Sequence, residues 1–170
     1  MINILNIDGI LNRLSLTSDM VVADFGCGAG FLTIPVAKKV KQGLVFAIDI
    51  QSPPLSVLKS NCMFLKLNNV QIIRSDLEKP RGSKLQDSSV DLALLINTLF
   101  QIDKKDAIIQ EAKRVLKTQG KFVVVDSFLG KKKDNNFSFR VFKKIVESAG
   151  FIPEKQFRIN DYYGVVFEKL

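Results

Sequence analysis

The chain has 170 residues, 46% of them hydrophobic, a formal net charge of +8 and no histidine. This length favours one domain over residues 1–170, and the missing histidine excludes Ser-His and Cys-His nucleophilic sites and removes the usual zinc ligand. No run approaches the roughly 18 to 20 apolar residues of a membrane span, and no basic segment precedes an apolar run at the start, so we expect a cytoplasmic protein without a membrane span.

The hydrophobic pattern predicts helices and strands in alternation along most of the chain. An N-terminal helical segment over residues 1–18 carries one apolar face, formed by Ile7, Ile10, Leu11 and Leu14. Five runs rich in Val, Ile, Leu and Phe are predicted strands, at residues 20–25, 44–48, 70–73, 90–96 and 121–125. The segments between the strands have helical spacing, and Ser52 before Pro53 is predicted to cap the second of these helices.

The alternation stops near the C-terminus. The last two helices are predicted to end near Gly120 and Gly150. Residues 152–158 and 163–167 are strand-like, and they are joined around Asn160 and Asp161, a connection too short for a parallel crossover. We therefore predict an α/β fold with a doubly wound, mostly parallel seven-stranded sheet and a C-terminal antiparallel hairpin.

The most informative segment is residues 24–31, where the first predicted strand runs into a glycine-rich turn and then a helix. Glycine permits positive φ and lets a ligand approach the backbone, and the turn lies at the edge where parallel sheets bind ligands. In nicotinamide-binding loops a third glycine follows at the position that Phe31 occupies here. Asp24 suits a cationic ligand better than a pyrophosphate. Asp49, which ends the second strand, can accept hydrogen bonds from ribose hydroxyls in either class of cofactor.

These motifs resemble the class I S-adenosylmethionine-dependent methyltransferases, in particular the compact group that includes quinone-biosynthesis enzymes. The resemblance covers the chain from residue 20 onward. It rests on the DxGxGxG motif at residues 24–30, on Asp49-Ile50, on residues 74–77 and on the turn at residues 116–121, where Thr118-Gln119 replaces Pro-Gly. The resemblance implies a Rossmann-like fold, S-adenosylmethionine as cofactor and methyl transfer as the reaction.

The resemblance also implies where the cofactor binds. It assigns the ribose to Asp49, the adenine to Ile50, Asp76 and Leu77, and a place near the sulfonium to Asn97. The full implied set is Asp24, Gly26, Cys27, Gly28, Gly30, Asp49, Ile50, Asp76, Leu77 and Asn97. The alternative for the three aspartates is a purely structural role, because carboxylates are common in strand-end loops and helix caps. Asp91 opens its strand far from this edge and is predicted to be structural.

The sequence assigns no catalytic residue and no metal site. Methyl transfer is an in-line displacement that needs no protein nucleophile, and any general base would come from Asp103, Asp126, Tyr162 or Tyr163. Residues 97–100 do not form the [ND]PP[YF] motif of enzymes that methylate planar amines. A small-molecule acceptor is favoured. The alternatives are an RNA methyltransferase, a non-catalytic cofactor-binding subunit acting through a partner, and, less favoured, a nicotinamide-dependent oxidoreductase, which Phe31 and the lack of a Tyr-xxx-Lys pair disfavour.

Two further expectations concern the surroundings of the site. The segments that would cover the acceptor are short, so we expect an open site that a bulky acceptor, a protein partner or a second copy of the chain completes. Lys131, Lys132 and Lys133 lie in the loop after the fifth strand, where they either steer an anionic acceptor or form a solvated loop. Cys27 and Cys62 fit no zinc or disulfide pattern and are predicted to be reduced thiols.

Overall fold

The computed structural model describes residues 6–127 and 139–170. Within them the strands are β1 (Val21–Phe25), β2 (Leu44–Asp49), β3 (Val70–Arg74), β4 (Val90–Ile96), β5 (Leu116–Ser127), β6 (Phe151–Ile159) and β7 (Tyr162–Lys169). The helices are α1 (Ile7–Leu11), α2 (Thr33–Lys39), α3 (Ser52–Phe64), α4 (Lys105–Val115) and α5 (Phe139–Ser148), with a short 3₁₀ helix at Leu99–Gln101.

The strands form one seven-stranded sheet in the order β3-β2-β1-β4-β5-β7-β6. Strands β1 to β5 are parallel to one another, whereas β7 is antiparallel to both β5 and β6. The predicted Rossmann-like, doubly wound sheet with a C-terminal hairpin is therefore confirmed. Because the order reverses between β1 and β4, the loops after these two strands border the crevice in which such sheets bind ligands.

Helices cover both faces of the sheet, and the alternation of side chains along each strand decides which face they contact. In β4, Leu92 and Leu94 pack in the same cluster as residues of α1 and α2, whereas Ala93 and Leu95 pack with residues of α4 and α5. Both sets are buried. This burial on two faces explains why the parallel strands read as nearly continuous apolar runs.

The fifth strand begins earlier than the sequence predicted. Helix α4 ends at Val115 rather than near Gly120, and β5 already begins at Leu116. Leu116 is fully buried and pairs with Val90, and the register then shifts before Leu92. The residues that the sequence predicted to end the helix, 116–120, therefore belong to β5.

The cap predicted for α3 was also wrong. Ser52 is the first residue of the helix, and Gln51 occupies the cap position without a side-chain hydrogen bond. The Gln51 amide instead donates to Oδ1 of Asp49 over 2.9 Å. The acidic residue that ends β2 thus fixes this turn. Two other predictions are confirmed. Helix α5 ends before Gly150, which has φ +93°, and the hairpin turns at Asn160, which has φ +52°.

Replacing Gln119 with glycine is expected to stabilise the protein by about 0.5–1 kcal/mol, because Gln119 has φ +63° and glycine adopts this conformation without steric cost. The gain is limited by the greater freedom of glycine in the unfolded chain. Urea unfolding measures the difference. Thr118 is the matched control, since its φ is not positive and glycine there is expected to destabilise. Equal destabilisation by both substitutions would contradict the interpretation.

Candidate functional site

The glycine-rich turn after β1 is anchored on the end of β2. The amides of Gly26 and Cys27 both donate to the carbonyl oxygen of Ile48, over 2.8 and 3.1 Å. Gly26, Gly28 and Gly30 all have positive φ, at +74°, +53° and +86°. These left-handed conformations favour glycine over any other residue. The turn therefore has a defined shape rather than being a generic loop.

Two of the three glycines also allow close packing, and the third faces open space. A Cβ on Gly26 would lie 2.5 Å from Cγ2 of Thr98, and a Cβ on Gly30 would lie 2.3 Å from Cδ1 of Leu58. A Cβ on Gly28 would contact nothing within 4 Å. Gly26 and Gly30 thus hold the turn against the neighbouring elements, while Gly28 leaves backbone accessible to a ligand.

Asp49 connects this turn to the start of α3. Its Oδ2 accepts a hydrogen bond from the amide of Gly28 over 2.9 Å, and its Oδ1 accepts the amide of Gln51. A carboxylate has about four acceptor positions, so these two bonds leave capacity for further donors. Asp49 lines the cleft described below, at the place that the sequence predicted for a ribose-binding carboxylate.

Asp24, at the end of β1, is a buried carboxylate with 3% of its surface exposed. Burial raises its pKa to about 6, and Asp49 nearby adds to this increase, whereas the hydroxyl of Thr33, which donates to Oδ2 over 2.5 Å, opposes it. Burying a charge is unfavourable unless a counter-charge is present. The position therefore favours a ligand that brings a positive charge to Asp24.

The loop after β3 contributes Asp76 and Leu77. Oδ1 of Asp76 accepts the amide of Glu78 over 3.0 Å, and Lys79 lies 3.8 Å from Oδ2. Leu77 is buried, whereas Ile50, after β2, is 55% exposed. Both apolar side chains line the cleft, so they offer a surface on which a flat ring can pack.

Asn97 follows β4 and begins the wall on the other side of the glycine-rich turn. It has φ +56°, and its amide donates to the carbonyl oxygen of Val125 over 2.7 Å. Thr98 and Gln101 continue this wall. Asparagine tolerates the left-handed region better than most residues, which explains its presence at this bend.

These elements enclose a cleft of about 470 Å³. The residues predicted to bind the cofactor line it, except Gly30, which instead packs on Leu58. Sequence reasoning missed Glu78, Thr98 and Gln101, which also line the cleft but belong to connections without a recognisable motif. Phe31 lines the cleft with 81% of its surface exposed, so the cleft opens to solvent there.

The lining of the cleft is acidic, although the protein as a whole is basic. Its carboxylates are Asp24, Asp49, Asp76 and Glu78. Among the described residues that line it, none is lysine or arginine. Such a site repels a pyrophosphate and attracts a ligand with a net positive charge.

Comparison with known families identifies the family of the chain. Residues 16–156 match the model of a family described as a methyltransferase domain. The chain belongs to the class I S-adenosylmethionine-dependent methyltransferases. The narrower resemblance to quinone-biosynthesis methyltransferases stays a prediction.

The methyltransferase is similar to curated proteins with different acceptors in their names. It is 38% identical over 68 residues to the probable cobalt-precorrin-6B C(15)-methyltransferase of Methanocaldococcus jannaschii, covering 40% of this chain and 36% of that protein. It is 29% identical over 157 residues to the ribosomal protein L11 methyltransferase of Limosilactobacillus fermentum, covering 92% of this chain and 44% of that protein. The chain thus spans less than half the length of these two relatives.

Solved structures support the same fold. The crystal structure of a SAM-dependent methyltransferase from Aquifex aeolicus matches with a TM-score of 0.84 and 24% sequence identity, over 97% of this chain and 90% of that chain. At this level of identity the likeness concerns the fold alone.

None of the residues considered as a general base lines the cleft of the methyltransferase. Asp126 is buried and accepts backbone amides, including that of Leu99 over 2.8 Å, and burial raises its pKa to about 6. Tyr162 is buried in the core, and the hydroxyl of Tyr163 donates to Gln156. The sequence located these residues near the correct edge of the sheet, but it did not predict the direction of their side chains.

Asp91 and the two cysteines were predicted from the sequence to have no part in catalysis, and their contacts are as follows. Oδ2 of Asp91 accepts the amide of Val21 over 2.8 Å, and Oδ1 pairs with Lys117 over 2.7 Å at the opposite edge of the sheet. Cys27 and Cys62 are free and buried, and burial raises the pKa of both thiols, which keeps them protonated at neutral pH. The predicted lysine run at residues 131–133 lies outside the described residues.

Proposed function

We propose that this methyltransferase binds S-adenosylmethionine in the acidic cleft and transfers its methyl group to a small-molecule acceptor. The observation that carries the proposal is the combination of a glycine-rich turn with four lining carboxylates and no lining lysine or arginine among the described residues. S-adenosylmethionine has a sulfonium and an amino group, so this lining fits its positive charges.

Asp24 and Asp49 each hold a polar part of the cofactor in this proposal. Asp24 pairs with the amino group of the methionine part, and this pairing compensates for the burial of the carboxylate. Asp49 accepts hydrogen bonds from the ribose hydroxyls while it keeps the amides of Gly28 and Gln51. The exposed backbone at Gly28 lets the cofactor lie directly on the turn.

The adenine occupies the part of the cleft between the loops after β2 and β3. Ile50 and Leu77 supply apolar surfaces for the ring, and Asp76 accepts a hydrogen bond from its amino group. Asp76 uses Oδ1 for the amide of Glu78, and among the described residues its Oδ2 has a charged neighbour in Lys79, at 3.8 Å. An acceptor position therefore exists for the adenine.

Catalysis in this site rests on positioning. When bound, S-adenosylmethionine supplies an electrophilic methyl group on a sulfonium that leaves as a neutral thioether. Asn97 and Thr98 form the wall that orients the reacting part of the ligand. Since none of the candidate bases lines the cleft, we expect an acceptor that needs no proton removed by the protein.

The lining of the cleft and the name of one relative support a small-molecule acceptor in this proposal. The acidic lining disfavours an acceptor whose reactive part is anionic, and the cobalt-precorrin relative is named for a small molecule. The alternatives are an RNA acceptor and a non-catalytic role through a protein partner or a second copy of the chain. In each of them a macromolecule, rather than a small molecule, would occupy the open side of the cleft. A nicotinamide oxidoreductase is disfavoured by the same acidic lining.

Along the described ranges, no helix is long and apolar enough to cross a membrane.

A transfer screen with methyl-labelled cofactor tests the proposal. We expect label to appear in a low-molecular-weight product when metabolite fractions are supplied, and not in protein or RNA fractions. S-adenosylhomocysteine should raise the melting temperature in the same preparation, whereas NAD and NADP should leave it unchanged. Stabilisation by NAD, without stabilisation by S-adenosylhomocysteine, would contradict the cofactor assignment. Label in RNA would show that the acceptor is RNA and not a small molecule.

A further inference from the structure

Residues 97–104, called the strap below, connect β4 to α4 and form one wall of the cleft. Asn97, Thr98, Gln101 and Ile102 of the strap line the cleft. The strap consists of a left-handed bend, a single 3₁₀ turn and an extended residue, so its own backbone hydrogen bonds are few. A segment of this kind keeps one conformation only if its surroundings hold it.

Asp126, at the end of the neighbouring strand β5, holds the first part of the strap. Its Oδ2 accepts the amide of Leu99 over 2.8 Å, and the amide of Phe100 lies close enough to this carboxyl group to lower its pKa. Its Oδ1 accepts the amide of Ser127 over 2.7 Å. Asp126 is 3% exposed and does not line the cleft, so its carboxylate is used for the backbone rather than for a ligand.

Glu78, in the loop after β3, holds the last part of the strap. Its Oε2 accepts the amide of Lys104 over 2.7 Å, and its Oε1 accepts the amide of Asp103 over 3.4 Å. Lys104 is the cap residue of α4 and Asp103 precedes it, so the amides of both residues have no partner within the helix. Two carboxylates, one at the end of β5 and one in the loop after β3, therefore hold the first and the last part of the strap.

The position of the strap is transmitted to the glycine-rich turn through Thr98. The Thr98 hydroxyl donates to the carbonyl oxygen of Ile96 over 2.9 Å and approaches that of Gly26 at 3.4 Å. Thr98 also fills the space that a Cβ on Gly26 would need. A shift of the strap by a fraction of an ångström would thus move the turn that contacts the ligand.

We propose that Asp126 is a positioning residue, which fixes the strap against the glycine-rich turn and so preorganises the cleft for the reacting part of the cofactor. This inference rests on the proposed cofactor site. It assigns Asp126 a role in ligand binding without contact to the ligand, in place of the general-base role considered from the sequence.

The substitution Asp126→Asn tests the inference. Asparagine has one acceptor oxygen where the carboxylate has two, and it carries no charge. It therefore cannot accept from the amides of both Leu99 and Ser127, and any hydrogen bond that it keeps to the strap is weaker. We expect the dissociation constant of S-adenosylhomocysteine to rise at least tenfold by calorimetry. Hydrogen exchange at the amides of Leu99 and Phe100 should accelerate at least tenfold, while the amides of β1 and β4 keep their protection.

Asp91→Asn is the matched control, because Asp91 also accepts a backbone amide at a strand end, but at the opposite edge of the sheet. It should leave the affinity for S-adenosylhomocysteine unchanged. Wild-type affinity and exchange in Asp126→Asn would overturn the inference while leaving the cofactor site intact. Failure of the wild-type protein to bind S-adenosylhomocysteine would instead overturn the proposed function.

A measurement on the wild-type protein covers the case in which Asp126→Asn does not fold. Without ligand, the amides of Leu99 and Phe100 should already exchange at least tenfold more slowly than in an unstructured peptide, because Asp126 holds them before the cofactor arrives. Protection that arises only after S-adenosylhomocysteine is added would contradict a preorganised strap.

Discussion

Replacing Asp49 with alanine is expected to weaken the binding of S-adenosylhomocysteine about 100-fold, or about 3 kcal/mol. The substitution removes the acceptors proposed for the ribose hydroxyls, and it also releases the amides of Gly28 and Gln51 that shape the turn. Hydrogen bonds to a charged acceptor are the stronger kind, at about 1.5–3 kcal/mol each. Calorimetry with the purified protein measures the change.

Two further variants distinguish the loss of the ribose contact from a general loss of stability. Asp49→Asn keeps the shape and one acceptor oxygen, so it should lose affinity by about tenfold. Asp91→Ala removes a carboxylate that accepts a backbone amide away from the cleft, and it should change stability but not affinity. Unchanged affinity in Asp49→Ala would show that the ribose is held elsewhere.

Replacing Asp24 with asparagine is expected to have opposite effects on stability and on binding. The pKa of Asp24 is raised from 3.8 to about 6 in the folded protein, so its stabilising contribution is fully present below about pH 3.8 and is lost as the pH rises through about 6. A rise of about two pKa units corresponds to roughly 3 kcal/mol at most. Asparagine avoids this loss and still accepts the hydrogen bond of Thr33.

At pH 8 and without ligand, Asp24→Asn should therefore be about 1–3 kcal/mol more stable than the wild-type protein, and this advantage should shrink below pH 4. Its affinity for S-adenosylmethionine should fall at least tenfold, because the carboxylate proposed to pair with the amino group is gone. Urea unfolding at the two pH values and calorimetry measure the two effects. A variant that is less stable at pH 8 would show that the carboxylate is already compensated in the ligand-free protein.

Much of the fold was predictable because its signals are local and repeated. The central parallel strands β1 and β4 are buried on both faces, so each appears as an apolar run, and the glycine-rich turn has a conformation that few residues other than glycine adopt. The hairpin was predictable for the same reason, since Asn160 and Asp161 leave no room for a crossover helix. These features depend on few neighbours.

The errors have a common physical cause, namely that a partner distant in sequence decides the local conformation. Leu116 joins β5 because Val90 pairs with it, and Ser52 does not cap α3 because Asp49 fixes the preceding turn. Asp126 follows its strand as expected, but the amides of the strap use its carboxylate. Glu78 carries no motif, and only the fold brings it to the cleft. A sequence pattern locates such residues along the chain without giving the direction of their side chains.

A crystal structure of the protein with S-adenosylhomocysteine tests the central claim most directly. We expect both ribose hydroxyls within about 2.6–3.2 Å of the Asp49 carboxylate, the amino group of the ligand beside Asp24, and the adenine between Ile50 and Leu77. A ligand bound outside the cleft, or bound within it with its ribose turned away from Asp49, would contradict the account.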